Sequence, residues 1–142
     1  MSMQEGIKLR FDVDGYNFES AGEASEAVKR SLKQLGIPPE SIRRVAIAMY
    51  EGEINMVIHA KGGVAEVTIY PDHIDIYLKD KGPGIANVEE AMREGFSTAT
   101  ESIRDLGFGA GMGLPNMKKY SDEMVIDSVL GEGTTVYMRI NF

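Results

Sequence analysis

Short segments in which polar and apolar residues alternate occur in both halves of the chain, and this period of two constrains the fold more than any other feature. Strands that are half polar are typical of a sheet with one face covered and the other open to water. Alternation of this kind occupies residues 7–13, 65–69, 74–78, 125–129 and 134–142. Turn residues at 71–72 and 131–133 join the last four segments into two hairpins. The pattern therefore predicts a mixed, mostly antiparallel sheet.

Two segments with helical spacing follow the first predicted strand. One runs from about residue 20 to residue 35, where Gly36 and the prolines at 38 and 39 end it. The other runs from about residue 40 to residue 60. These helices must cover one face of the sheet, which predicts an α+β fold built as a two-layer α/β sandwich. No repeat or linker divides the 142 residues, so we expect a single domain over residues 1–142.

Composition limits the classes of function. Fifteen Lys and Arg residues against 22 Asp and Glu residues give a formal charge of -7, which argues against nucleic acid or a membrane surface as a partner. With no cysteine and two histidines, disulfides and thiolate zinc sites are excluded, whereas magnesium held by oxygen ligands remains open. The first residues lack the apolar core of a signal peptide, so we expect a cytoplasmic protein.

A line of polar residues runs along the second predicted helix, between two apolar stripes. Glu51, Asn55 and His59 are spaced i, i+4 and i+8, so their side chains share one face. This face is either a solvated edge or a site, in which Asn55 supplies an oxygen ligand to magnesium and Glu51 is a base that orients a nucleophile. Glu53 projects toward an apolar stripe, and the pattern gives no reason for its charge.

Asp80 continues the phase of the apolar residues on its strand, so we expect its carboxylate on the covered face of the sheet. Gly82 and Gly84 follow, and they let the backbone approach a ligand closely. A carboxylate beside bare backbone suits the amino edge of a base such as adenine, although an Asp-Gly turn in water gives the same pattern. Thr134 is in phase with the apolar residues of the last strand, so it shares the covered face with Asp80.

Glycines at alternate positions precede a third predicted helix: Gly107, Gly109, Gly111 and Gly113. Flexible backbone that presents N–H groups at the start of a helix is suited to anions. The string is therefore either a mobile lid over phosphates or a flexible linker. Lys118, in the helix that follows, is a candidate to make the site locally electropositive.

The order of these motifs resembles the four nucleotide-binding boxes of the GHKL ATPase superfamily, which includes gyrase, Hsp90, histidine kinases and MutL. The boxes correspond to Glu51-x-x-x-Asn55, Asp80-x-Gly82-x-Gly84, the glycine string ending in Gly113-Leu114, and Gly133-Thr134. The resemblance covers about residues 40–142 and implies the Bergerat ATP-binding fold, with an ATP lid at about residues 95–113. The strings Gly-Phe-Ser-Thr at 95–98 and Gly-Leu-Pro at 113–115 are most similar to those of the anti-sigma-factor serine/threonine kinases of bacteria, especially the switch kinases.

This resemblance implies a role for each motif. ATP would bind with magnesium held by Asn55, with adenine read by Asp80 and Thr134 and with the phosphates under the lid. Glu51 would take the proton from a serine or threonine hydroxyl of the substrate. The other implied nucleotide contacts are Gly82, Gly84, Gly107, Gly109, Gly111, Gly113, Leu114 and Lys118.

The resemblance also implies partners. The substrate in this family is a small STAS-type protein, either an anti-sigma antagonist or a scaffold, and a sigma factor or a downstream phosphatase is a further candidate partner. A homodimer is left open. The alternative function is that of a non-catalytic regulator, which binds nucleotide and sequesters a partner such as a sigma factor. A third reading is a two-layer domain that binds no nucleotide.

Overall fold

The computed structural model describes residues 6–14, 21–60, 62–82, 84, 92 and 113–142. In this part of the chain the elements follow one another as β1 (Ile7–Asp14), α1 (Glu23–Gln34), α2 (Pro39–Ala60), β2 (Gly62–Ile69), β3 (His73–Asp80), α3 (Gly113–Lys119), β4 (Glu123–Val129) and β5 (Gly133–Asn141). All five predicted strands and both long helices are confirmed, although α1 begins at Glu23, about three residues later than its helical spacing predicts. No helix among these residues is both long enough and apolar enough to cross a membrane.

The five strands form one sheet in the order β1-β2-β3-β5-β4, and each neighbouring pair is antiparallel. Strand β5 therefore lies between β3 and β4, although it follows both in the sequence. The two hairpins β2–β3 and β4–β5 are the ones that the turn residues predict. Helices together with this antiparallel sheet make the α+β fold that we expected.

The core lies between the helices and one face of the sheet. Ile74, Ile76 and Leu78 of β3 point into it, and each is at most 2% exposed. Val45 and Met49 of α2 meet them from the helical layer and are equally buried. Because burying one such side chain contributes about 1.5–3 kcal/mol, this contact holds α2 firmly against the sheet.

Gly52 allows α2 to lie close to the sheet. The residue is buried in the middle of the helix, and a Cβ atom there would overlap Cδ1 of Leu78 and lie 3.2 Å from Cε of Met117. Glycine in a helix costs about 1 kcal/mol relative to alanine, and this close packing on β3 and α3 is what offsets that cost. The helix that carries Glu51 and Asn55 is thereby fixed on the strand that carries Asp80.

In β4 the alternate residues Val125, Asp127 and Val129 lie on the open face of the sheet. Val125 and Val129 are 58% and 50% exposed, and Asp127 is exposed between them. Met124 and Ile126 instead point toward the core and are half-buried. β4 is an edge strand with apolar residues on both faces, so alternation alone does not decide which face is covered.

A charged network on the open face ties β3 to β5. The Nε atom of Arg139 and the hydroxyl of Tyr137 each donate a hydrogen bond of 2.9 Å to Oδ1 of Asp75, which is only 9% exposed. Burial alone would raise the pKa of Asp75, but these hydrogen bonds outweigh it and hold the pKa below its ordinary value. Burial and the bond to Asp75 raise the pKa of Tyr137 to about 12.

Candidate functional site

Asp80 and Thr134 are direct cross-strand partners at the adjoining ends of β3 and β5. Asp80 is half-buried and Thr134 is 7% exposed. Oδ1 of Asp80 accepts hydrogen bonds from the N–H groups of Gly82, at 2.9 Å, and of Thr134, at 3.1 Å. Within the residues that the structure describes, Oδ2 accepts no hydrogen bond. The Oδ1 atom thus anchors Asp80 to the backbone of both β5 and the segment after β3.

A third strand orients the hydroxyl of Thr134. Oγ of Ser128, directly across from Thr134 on β4, lies 2.8 Å from the Thr134 Oγ1 atom, and either hydroxyl can donate. Ser128 is not among the residues that the sequence pattern singles out. Its phase, two residues after Ile126 on the core face of β4, is the signal that would have found it. Ser128 therefore belongs to the candidate site as a residue that positions Thr134.

Glycine backbone surrounds this pair closely. Gly133 has a φ of 136°, and a Cβ atom there would overlap the main-chain oxygen of Asp80. Gly84 has a φ of 80°, and a Cβ atom there would lie 2.6 Å from the main-chain oxygen of Val129. Both positions therefore need the conformational freedom of glycine. The main chain of Gly133 thus lies directly against the main chain of Asp80.

Asn55 and the start of α3 are in contact. A Cβ atom at Gly113 would lie 3.0 Å from Oδ1 and 3.2 Å from Nδ2 of Asn55, so glycine lets the first residue of α3 approach this amide. Leu114, next in the helix, is 8% exposed and packs into the core, whereas Lys118 is exposed in the last turn. The structure thus brings the polar line of α2 together with the last glycine of the string.

Glu51 is half-buried and lines a groove between α1 and α2 that encloses about 250 Å³. Ser25, Glu26 and Tyr50 also line this groove. Glu51 lies one helical turn before Asn55, which is the spacing that places both side chains along one face of α2. Among the described residues, no group of three or more His, Cys, Asp or Glu side chains is placed to hold a metal ion.

Some predicted site residues lie outside the described part of the chain. They are Gly107, Gly109 and Gly111, and with them the predicted lid up to residue 112. The side chain of His59 is also outside it. The roles of these residues stay predictions from the sequence.

Glu53, whose charge the sequence pattern left unexplained, caps α1 from within α2. Its Oε2 atom accepts hydrogen bonds from the N–H groups of Gly22, at 2.9 Å, and Ala24, at 3.3 Å, and Oε1 accepts one from Ser25, at 2.6 Å. The first N–H groups of a helix have no partner inside the helix, and the helix dipole favours a carboxylate there. Glu53 is 2% exposed and fully used by these bonds, so its role is structural.

Residues 17–140 match the histidine kinase-like ATPase domain family. The chain belongs to this family. It is 30% identical to the anti-sigma F factor of Geobacillus sp. (strain WCH70), an alignment that covers 96% of this chain and 92% of the relative. It is 32% identical to the serine/threonine-protein kinase RsbT of Bacillus subtilis (strain 168), with 80% and 82% of the two chains covered.

A solved structure shares the fold. A chain in the crystal structure of the SiaB–SiaC complex from Pseudomonas aeruginosa matches with a TM-score of 0.64 and 12% sequence identity, covering 96% of this chain and 90% of that one. At this identity the likeness shows the fold alone. Together with the two relatives, the kinase-like ATPase domain confirms the predicted family, the anti-sigma-factor serine/threonine kinases, and with it the use of ATP.

Proposed function

We propose that this chain transfers the γ-phosphate of ATP to a serine or threonine hydroxyl of a STAS-domain protein in the cytoplasm. The pairing of Asp80 with Thr134 carries the proposal. Oδ2 of Asp80 is an acceptor beside bare glycine backbone, and the exocyclic amine of adenine is a donor that needs such an acceptor. Gly82 and Gly84 line the base, and the Thr134 hydroxyl, oriented by Ser128, completes its recognition.

Helix α2 supplies the residues for phosphoryl transfer. This reaction asks the protein mainly to position the reactants and to neutralise charge, so the acceptor hydroxyl must be held in line with the γ-phosphate. Glu51 orients that hydroxyl and accepts its proton. The close packing at Gly52 keeps Glu51 and Asn55 at a fixed distance from the adenine end of the site.

Asn55 is the proposed magnesium ligand. Magnesium, when bound, would neutralise charge on the phosphate oxygens. The single amide oxygen of Asn55 fits this ion, because magnesium usually keeps several waters and takes further ligands from the phosphates of the substrate. Gly107, Gly109, Gly111, Gly113, Leu114 and Lys118 remain the proposed contacts to the phosphates, with the lid at about residues 95–113.

Glu51→Gln tests the proposal, because it keeps the shape of the side chain and removes the base. General-base catalysis typically contributes about 10²–10⁴-fold, so we expect phosphate transfer to the STAS-domain protein to fall by at least about 100-fold. Affinity for ATP should stay close to that of the wild type. Both are measured with radiolabelled ATP and magnesium. Glu123→Gln, which removes an exposed carboxylate at the start of β4 that does not line this groove, is the matched control and should transfer normally. Undiminished transfer by the Glu51 variant would remove Glu51 from the reaction.

The name of the Geobacillus relative, an anti-sigma F factor, favours a second candidate function. In this alternative the chain binds nucleotide and holds a sigma factor without transferring phosphate. A wild-type chain that binds a sigma factor but transfers no labelled phosphate to a STAS-domain protein would favour this alternative.

Light scattering on the same preparations tests whether the chain is a homodimer.

A further inference from the structure

The groove between α1 and α2 extends beyond Glu51. An adjoining part encloses about 490 Å³ and shares Ala46 and Ile47 with the part that Glu51 lines. Pro39, at the start of α2, lines the far end. Glu51 lies twelve positions after Pro39, which is about 18 Å along a helix that rises 1.5 Å per residue. We call the two parts together the α1–α2 groove.

The α1–α2 groove has an apolar floor. The floor residues of its far part are Ile37, Ile42, Ala46 and Ile47. Ile42 is 5% exposed and the other three are half-buried, so apolar surface remains open to a partner along the groove. Burying such surface is the main source of affinity in most protein–protein contacts.

The rim of the far part is cationic. Lys29 and Lys33 of α1 stand on one side and Arg43 of α2 on the other. Neither lysine forms an ion pair within the described part of the chain, and the pair of Arg43 with Glu40, at 3.1 Å, is exposed. The chain as a whole carries a formal charge of -7, so this rim has the opposite sign to the molecule around it. Such a rim selects an acidic partner surface.

We propose that the α1–α2 groove docks a helix of the STAS-domain substrate, apolar on one face and bordered by Asp or Glu, and thereby presents the acceptor hydroxyl to Glu51. This inference rests on the proposed kinase function. Both walls of the groove are helices, whose backbone groups are already paired, so an extended segment would find no strand edge to join. A helix pairs its own backbone, and about twelve residues of helix span the 18 Å of the groove.

The double variant Lys29→Glu/Lys33→Glu tests the charge of the rim. Its matched control is Lys8→Glu/Arg10→Glu, which makes the same change in net charge at exposed positions of β1, where the side chains point to the open face of the sheet. Binding of each STAS-domain protein and each sigma factor of the same genome is measured by calorimetry with ATP and magnesium, and transfer is measured in parallel. We expect the dissociation constant of the STAS-domain substrate, and its KM, to rise at least about tenfold in the groove variant only.

Ala46→Trp is a second variant, which fills the shared part of the groove without changing charge. It should weaken binding of the STAS-domain substrate as strongly, with the affinity for ATP unchanged. This variant keeps the test decisive if the charge reversal disturbs α1, and thermal unfolding of each variant checks that it folds.

Each outcome separates the docking proposal from the kinase proposal. Wild-type affinity of both groove variants for the substrate, with transfer intact, overturns docking at the groove and leaves the kinase. A STAS-domain protein that binds through the groove but receives no phosphate supports docking and overturns the kinase. A sigma factor as the groove-dependent partner, or no binding of any STAS-domain protein, overturns the occupant proposed for the groove.

Discussion

Asp80→Asn changes the carboxylate oxygen that is proposed to bind adenine and keeps an oxygen in place of the one that binds the backbone. Oδ1 of Asp80 accepts hydrogen bonds from the N–H groups of Gly82 and Thr134, and the amide oxygen of asparagine can accept both. The second oxygen becomes an NH₂ group, which donates. Because the amine of adenine is also a donor, two donors then face each other and the hydrogen bond to the base is lost.

The size of the effect follows from the charge on the acceptor. A hydrogen bond to a charged group contributes about 1.5–3 kcal/mol, and about 1.4 kcal/mol is a tenfold change in affinity. We therefore expect the dissociation constant for ATP, measured by calorimetry with magnesium, to rise about 10- to 150-fold. ATP at 100 times the wild-type dissociation constant stabilises the wild type by about 2.7 kcal/mol, whereas a 30-fold weaker variant would gain only about 0.9 kcal/mol.

Asp80→Ala is the control that separates binding from folding. It removes the acceptor of both main-chain bonds, so it should lower the thermal unfolding temperature without ATP, whereas Asp80→Asn should leave that temperature nearly unchanged. An asparagine variant that binds ATP as tightly as the wild type would refute the assignment of Asp80 to adenine.

The remaining predictions concern stability. Gly52→Ala should lower the free energy of unfolding by about 1–3 kcal/mol in urea titrations, because the new Cβ overlaps Leu78; equal or greater stability would mean that α2 can move away from β3. Glu53→Gln should cost about 1–3 kcal/mol and speed amide exchange at Ser25, since three N–H groups lose a charged acceptor; unchanged exchange would contradict the capping role. The folded state lowers the pKa of Asp75, so as the pH falls the unfolded chain is protonated first and stability decreases below about pH 4. Urea midpoints at about pH 6 and about pH 3.5 should therefore differ less in Asp75→Asn than in the wild type, and an equal difference would exclude this contribution.

The elements of the fold could be predicted because their signals are local. Alternation and helical spacing depend on the positions of apolar residues within one segment, and they gave the strands and helices to within a few residues. The same phase argument put Asp80 and Thr134 on one face of the sheet. The structure adds the register, which makes the two residues direct neighbours.

Contacts between distant segments were beyond the sequence patterns. Glu53 is an apparent misfit in an apolar stripe until α1 is placed against it, because the N–H groups that it binds lie 28 to 31 residues earlier in the chain. The glycine at position 52 is likewise explained only when Leu78 is known to pack on it. Ser128 could be assigned to the site only once the core face of β4 was known, because this edge strand has apolar residues on both faces. The role of each of these three residues depends on contacts between segments that are distant in the sequence. Composition and periodicity do not encode such contacts.

The placement of β5 between β3 and β4 has a consequence for biosynthesis. During translation β3 is finished more than fifty residues before Thr134 is added. Until then the nascent chain lacks the residue that pairs with Asp80 across the sheet. Nucleotide would therefore stabilise only those nascent chains that have been extended through the final hairpin, and prematurely terminated products would gain no protection from it.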